Sequence, residues 1–258
     1  MKKVINLYKP VGLTPLQALN IFKKTNSPYK SKKISYPGRL DPMAEGVLIL
    51  LVDDENKKIV QYMNLDKEYS AKILLGFSTD SYDILGLPKK ENNETDKNKI
   101  KKTLRNMKGE YNQTLPPYSS YKIKGKSLFS YARANKLDSI TLPQRNVKIK
   151  QIRINDVYTM TENRILKEIR RKIDLLEGDF RQEEIKKEWE RVLDEKDNKH
   201  IIVDVDFNVS SGTYIRAIAQ DLGKKLNSGA ILFGLQRTCV GNFSVKDSIR
   251  LKIQKYNE

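Results

Sequence analysis

The chain is poor in the residues that build small, cross-linked or metal-held domains. Its 258 residues include one cysteine, Cys239, and one histidine, His200. One cysteine excludes an internal disulfide framework. One of each excludes a Cys/His zinc site. No run of about eighteen apolar residues is present, so no membrane-spanning helix is expected, and the Met1-Lys2-Lys3-Val4 start has no signal-peptide core. These absences lead us to expect a soluble, intracellular protein large enough to bury its own core. The sharpest absence is local: the first forty residues hold nine Lys or Arg and no Asp or Glu.

Positive charge is what the chain has in excess. Lys and Arg number 49 against 32 Asp and Glu, a formal net charge of +17. The excess is uneven. Residues 118–153 carry nine bases against one acid, Asp138, whereas residues 161–199 carry eleven bases against twelve acids. A clustered excess suits a surface that binds a polyanion, because neutralised phosphates release condensed counterions. A general solubility bias would not leave one long segment near neutral.

Hydrophobic periodicity predicts interleaved strands and helices without strict alternation, hence an α+β fold with a mixed sheet. Strands are expected over 4–8, 47–52, 67–77, 147–158, 201–209 and, as a closing pair around Gly241, within 230–245. Tyr69, Ala71, Ile73 and Leu75 share one strand face; Val203, Val205, Phe207 and Val209 share another, opposite Asp204 and Asp206. Thr14, Pro15 and Gln17 spell the start of a helix with Leu16, Leu19 and Phe22 inward. Ile59, Val60 and Met63 are expected to line a helix over 56–64, and Ile100, Leu104 and Met107 a basic one over 97–108. Residues 89–102 are Lys/Asn/Glu-rich and read as an exposed connection.

Residues 161–199 read as a helical pair. Ile165, Ile169, Ile173 and Leu176 line the first helix; Ile185, Trp189 and Val192 line the second, with Asp179 as its cap and Gln182 in the reciprocal position. Its near-neutral charge predicts a hairpin packed on the sheet. Ser210 or Ser211 is expected to cap a helix over 213–226 that bears Tyr214, Ile215, Ile218 and Leu222.

The first acid of the chain, Asp41, stands in Pro37-Gly38-Arg39-Leu40-Asp41-Pro42. A lone carboxylate at the end of a basic segment is placed for reaction in a pocket that holds something anionic. Three further segments follow in order: Lys67-Glu68-Tyr69 with Leu75-Gly76-Phe77-Ser78-Thr79-Asp80; Leu115-Pro116-Pro117-Tyr118-Ser119-Ser120-Tyr121-Lys122-Ile123-Lys124-Gly125; and Ser210-Ser211-Gly212-Thr213-Tyr214-Ile215-Arg216, continued by Leu235-Gln236-Arg237-Thr238 and Gly241-Asn242-Phe243. Together they resemble the motifs of the TruB family of tRNA pseudouridine synthases, over roughly residues 4–247.

The resemblance implies a pseudouridine-synthase-like fold: a mixed, mainly antiparallel sheet flanked by helices, with the helical pair inserted and a basic thumb-like segment over about 116–145. It implies isomerisation of uridine 55 in the TΨC arm of tRNA, with the base detached, turned and rejoined through carbon 5. The product bond is C–C, so no redox cofactor, metal or nucleotide is implied. Asp41 matches the family's nucleophile, and addition to the sugar or to the base remains open. Arg216 matches the residue that can keep such a carboxylate charged and oriented through a guanidinium fork. Tyr69 matches the tyrosine that packs on the target base and can assist proton removal from carbon 5.

A stacked uridine must be extruded to reach a carboxylate in a pocket. Lys122, Lys124 and Lys126 are expected to face RNA, with Phe129 and Tyr131 in the core of a helix over 127–136. Arg39 and Leu235 stand in the matched segments as substrate contacts, and Lys9 matches a family position near the site. Tyr36 stands where the family usually has histidine, and can stack in the space left by the extruded base. Glu45, in place of a common Thr, is expected to face solvent, as is His200. The family usually carries a C-terminal RNA-binding PUA domain. Only Asp247–Glu258 follow the last motif here, so one catalytic domain over 1–258 is expected, acting as a monomer with no obligate protein partner. Two other readings fit the same residues: a guide-RNA-dependent relative that modifies rRNA, and a non-catalytic tRNA-binding or tRNA-folding protein.

Overall fold

The alternating apolar residues build one large sheet, while β5 with β6 and β8 with β9 form separate two-stranded sheets. In the computed structural model, which describes residues 1–92, 95–194 and 198–252, the chain runs β1 (Val4–Lys9), α1 (Pro15–Thr25), β2 (Ile34–Ser35), β3 (Ala44–Val52), α2 (Ile59–Met63), β4 (Lys67–Leu75), β5 (Phe77–Thr79), β6 (Pro88–Lys90), α3 (Lys97–Asn106) and β7 (Gly109–Thr114). It continues through β8 (Lys122–Ile123), β9 (Lys126–Ser127), α4 (Leu128–Arg133), β10 (Gln144–Thr161), α5 (Glu162–Asp174), α6 (Gln182–Val192), β11 (Lys199–Val209), α7 (Ile215–Leu226), β12 (Ala230–Val240), β13 (Phe243–Ser244) and β14 (Ile249–Arg250). Parts of the 89–102 connection (93–94), of the helical-pair segment (195–197) and of the final stretch (253–258) lie outside the described residues. Among the described residues no helix is long and apolar enough to cross a membrane.

The ten-stranded sheet has the order β14-β1-β3-β12-β4-β11-β10-β7, with β2 on β3 and β13 on β12. Two pairings, β1 with β14 and β3 with β12, are parallel, and the others are antiparallel. The mixed, mainly antiparallel α+β sheet is therefore as the sequence predicts. One core packs α3 and α7 on Tyr69, Ala71, Ile73 and Leu75 of β4 and on Val203, Val205, Phe207 and Val209 of β11. A second packs α5 and α6 on Leu74, Ile202, Ile231 and Phe233. Successive strand residues feed different cores because side chains alternate across a sheet. A third core seats α1 on Leu48, Leu50 and Val52 of β3.

Local chemistry explains the starts of α1 and α3. Thr14 Oγ1 accepts from Gln17 N, and Gln17 Oε1 accepts from Thr14 N, a closed capping box with Pro15 in the first turn. Asp96 accepts from Asn98 N and Lys99 N to start α3.

Several expectations fail, each for a stated reason. Leu16, Val60 and Met63 are exposed, because α1 buries Ala18 with Leu19 and Phe22, and α2 is a single turn after a 3-10 segment. Asp179 does not cap α6: its Oδ1 accepts from Arg181 N, Gln182 Oε1 accepts from Phe180 N, and Arg181 itself is the cap residue. Neither Ser210 nor Ser211 caps α7, since Ser210 Oγ instead accepts from Lys148 N on the neighbouring strand. The helix expected over 127–136 is only the six residues of α4, which leaves Phe129 exposed and Tyr131 half-buried. His200 is buried: its Nε2 meets Glu162 Oε1 at 2.8 Å and its ring lies 4.6 Å from that of Phe77. The β10 strand is longer than expected because its polar residues pair with both β11 and β7.

Ile185 is fully buried between α6 and the sheet, beside the chain's one tryptophan, Trp189. Ile185→Ala is expected to lower stability by about 2–5 kcal/mol through the cavity it leaves, read as an earlier urea midpoint in Trp189 fluorescence. A loss below about 0.5 kcal/mol, the level of an ordinary surface substitution, would mean that the helical pair does not pack on the sheet as described.

Candidate active site

Arg216 is the second residue of α7, and the fold holds that helix start without a side-chain cap. The buried amide of Gln113, on β7, does the work instead: its Oε1 accepts from Tyr214 N at 2.8 Å, and its Nε2 donates to Tyr214 O at 3.1 Å. Arg216 is thereby driven inward. Its side chain is 3% exposed, and its guanidinium donates in three directions. Nε donates to Asp41 Oδ2 at 2.8 Å and Nη2 to Asp41 Oδ1 at 3.2 Å, a two-point fork. Nη1 donates to Ser81 O at 2.7 Å, and Nη2 also to Tyr118 O at 3.1 Å.

The loop carrying Asp41 is fixed just as firmly. Arg237, buried on β12, donates to the carbonyls of Val47 (2.8 Å), Arg39 (3.1 Å) and Gly38 (3.4 Å). Gly12 N donates to Pro42 O at 2.9 Å, and Ala44 N to Asp41 O at 3.0 Å. Only glycine fits at position 46: its φ is 108°, and a Cβ there would stand 2.2 Å from Arg237 O. The Asp41 side chain is nevertheless 39% exposed. The arrangement is a carboxylate gripped from behind by a buried cation and open in front, which suits a nucleophile.

Two carboxylates share that cation. Asp83 Oδ2 lies 3.6 Å from Arg216 Nε. Burial pushes the Asp83 carboxyl up from its ordinary value, against the pull of Arg216 and a hydrogen bond from Ser81 Oγ. Burial opposes charge on Arg216 as well, but Asp41 and then Asp83 raise it above its usual value, so it stays cationic.

The other predicted residues fall into distinct places. Tyr69 is buried on β4, directly across the ladder from Arg237, and Leu235 is half-buried against the same core. Tyr36 is half-buried and packs on the α1 core, while Arg39 is exposed beside Asp41 with its carbonyl bound by Arg237. Lys122, Lys124 and Lys126 are exposed on the β8–β9 hairpin, whose turn residues Lys124 and Gly125 both have positive φ. None of the three forms a salt bridge among the described residues. Glu45 does not face solvent freely: it accepts from Tyr8 Oη at 2.5 Å. Lys9 is fully buried, and its Nζ donates to Pro10 O and Leu13 O, both at 2.7 Å, so it braces the N-terminal turn while the charges of Asp41 and Glu45 act on its amine.

Gln113 carries no local sequence signature for its role at the start of α7. Arg237 and Asp80 stand within the ordered motifs, which give no partner for either. Spacing alone does not show that Arg237 binds backbone or that the Asp80 carboxylate binds the Tyr118 hydroxyl at 3.0 Å.

Comparison with known proteins places the chain among the pseudouridine synthases. The sequence profile of the TruB family pseudouridylate synthase N-terminal domain matches residues 26–171. The chain is 33% identical to the tRNA pseudouridine synthase B of Clostridium tetani (strain Massachusetts / E88) over 98% of its own length and 72% of the relative's. It is 30% identical to the protein of that name from Clostridioides difficile (strain 630), over 98% of its length and 70% of the relative's. The chain belongs to the TruB family. A chain from a crystal structure of a Cbf5-Nop10-Gar1 complex shares the fold, with a TM-score of 0.59 at 21% identity over 96% of this chain and 52% of that one. A chain from an H/ACA RNP bound to a substrate RNA containing 2'-deoxyuridine does so with a TM-score of 0.57 at 21% identity, over 96% of this chain and 50% of that one.

Burial lowers the Lys9 amine from its ordinary 10.5 to about 7, and that of Lys172 to about 8. Both values lie below that of an unfolded lysine, so above pH 7 the folded chain sheds protons that the unfolded chain keeps. Stability therefore rises with pH between about 7 and 10. A neutral amine retains two N–H donors, enough for both carbonyls that Lys9 binds. Urea unfolding at pH 7 and 9 is expected to show this rise, and Lys9→Met to remove up to about 1.4 kcal/mol per pH unit of it. An unchanged pH slope in Lys9→Met would contradict the buried amine.

Proposed function

We propose that the enzyme converts uridine 55 in the TΨC arm of tRNA to pseudouridine, with Asp41 as the covalent nucleophile toward an extruded nucleotide. The observation that carries this reading is the fork: a buried Arg216 grips both oxygens of a carboxylate that remains open on its outer side. The naming of relatives at 30–33% identity as tRNA pseudouridine synthase B supports a tRNA substrate. Likeness to chains of H/ACA particles is likeness of fold at 20–21% identity.

The chemistry balances without a redox partner. Asp41 bonds to the nucleotide as the bond between carbon 1′ and nitrogen 1 breaks. The freed uracil turns, carbon 5 bonds to carbon 1′, and the carboxylate leaves. Carbon 5 then gives up its proton and nitrogen 1 gains one, so the product is an isomer of the substrate. Tyr69 stacks on the base from the core side, and its hydroxyl assists the proton transfer. Leu235 supports the base, and Tyr36 fills the stack that the base has left. Lys122, Lys124, Lys126 and Arg39 take the RNA phosphates, since exposed cations without carboxylate partners are ready to replace counterions. The enzyme acts in the cytoplasm as a monomer, without guide RNA.

The test is pseudouridine mapping in unmodified tRNA incubated with the purified chain and no other component. Pseudouridine is expected at position 55. Modification elsewhere, or only when a guide RNA is added, would contradict the reading. Asp41→Asn is expected to bind the tRNA and form no pseudouridine; turnover equal to the parent's would remove Asp41 as the nucleophile.

A further inference from the structure

The loop that joins α5 to α6 touches several of the segments that converge near Asp41. Leu175 closes on the N-terminal turn: Gly12 has a φ of 93°, and a Cβ there would stand 2.6 Å from Leu175 O. The same Gly12 donates to Pro42, the residue after Asp41. Gln17 Nε2 donates to Glu177 O at 3.2 Å, and Arg133 Nη2, from α4, donates to Asp179 O at 3.2 Å. The loop ends at Arg181, whose Nη2 donates to Asp80 Oδ2 at 3.0 Å while its guanidinium lies 5.3 Å from the centre of the Tyr118 ring. Tyr118 Oη donates to that same Asp80 oxygen at 3.0 Å. Arg181, Asp80 and Tyr118 thus form a closed cluster, with a second anchor where Leu87 N donates to Asp80 Oδ1 at 2.9 Å.

This cluster borders both backbone acceptors of Arg216. One is the carbonyl of Tyr118; the other is that of Ser81, next in the chain to Asp80. We propose that Arg181 is a positioning residue for the reaction: it locks Asp80 and Tyr118 together, and so holds the two carbonyls that aim Arg216 at Asp41. The local backbone agrees. Arg181 has a φ of 60°, a conformation that glycine or asparagine takes with less strain, yet the position carries a long cationic side chain that is 32% exposed. Trp189, on the helix that follows, donates to Ile84 O at 3.0 Å and fixes the 80–87 loop from its other end. The helical pair therefore braces the catalytic guanidinium from behind, although it packs on a different core from Tyr69.

The inference rests on the proposed activity, since its readout is pseudouridine formation. Single-turnover rates at saturating TΨC stem-loop, binding constants and melting temperatures would be measured for the parent, Arg181→Ala, Arg181→Lys and Tyr118→Phe. Arg181→Ala is expected to slow the bound-state rate by about tenfold or more, with affinity changed by less than about twofold. Arg181→Lys, which keeps a charged donor for Asp80, is expected to recover most of that rate. Tyr118→Phe, which loses only the hydroxyl, is expected to be slowed with little loss of melting temperature. An unchanged rate in Arg181→Ala, or a loss seen only as weaker binding, would overturn the positioning role. Should Arg181→Ala melt early, a parent-like rate in Tyr118→Phe overturns it equally. A parent that forms no pseudouridine would sink the activity itself, whereas an active parent matched by Arg181→Ala sinks only this inference.

Discussion

One buried guanidinium organises this enzyme. Arg216 brings five N–H donors into the interior, where an uncompensated cation costs several kcal/mol. The fold answers with two oxygens of Asp41 and the carbonyls of Ser81 and Tyr118. These acceptors come from three distant stretches of chain. Satisfying Arg216 therefore means bringing together the loop of Asp41, the turn after β5 and the segment that begins at Pro116. The same contacts that make the charge tolerable also point the Asp41 carboxylate outward.

The sheet makes that convergence possible. The parallel pairing of β3 with β12 sets Leu235 opposite Ala44 and Arg237 opposite Gly46, so Arg237 can reach back to the Gly38 and Arg39 carbonyls. The antiparallel pairing of β12 with β4 then sets Tyr69 across from Arg237. A second buried arginine thus ties the aspartate loop to the strand that carries the tyrosine, while Gln113 ties the start of α7 to β7. Each link uses a side chain to satisfy backbone, so the groups around Asp41 are held in place by hydrogen bonds that need no substrate.

What the sequence made legible follows from what was periodic or local. The alternation on β4 and β11, the capping box of Thr14 and Gln17, and the inward stripes of Ile165 and Ile169 and of Ile185 and Trp189 all appear in the structure. So does the joining of Asp41 to Arg216 across 175 positions, which ordered motifs suggest and spacing alone never could. The failures are of long-range polar geometry. Lys9 reads as a basic residue near the site, and what the sequence does not show is that it is buried and donates to two carbonyls. His200 reads as solvated and meets a buried glutamate. Neither burial has a local signature, because both depend on which strand lies alongside.

The shape of the Arg216–Asp41 contact matters as well as its charge. Arg216→Lys keeps the cation and loses the fork, along with at least one backbone acceptor. Charge-assisted bonds are worth about 1.5–3 kcal/mol each, and about 1.4 kcal/mol is a decade in rate. The decisive measurement is the single-turnover rate of pseudouridine formation by Arg216→Lys with the tRNA arm fully bound. The forked contact predicts a fall of about a hundredfold or more at unchanged affinity. A rate within a few fold of the parent's would contradict it.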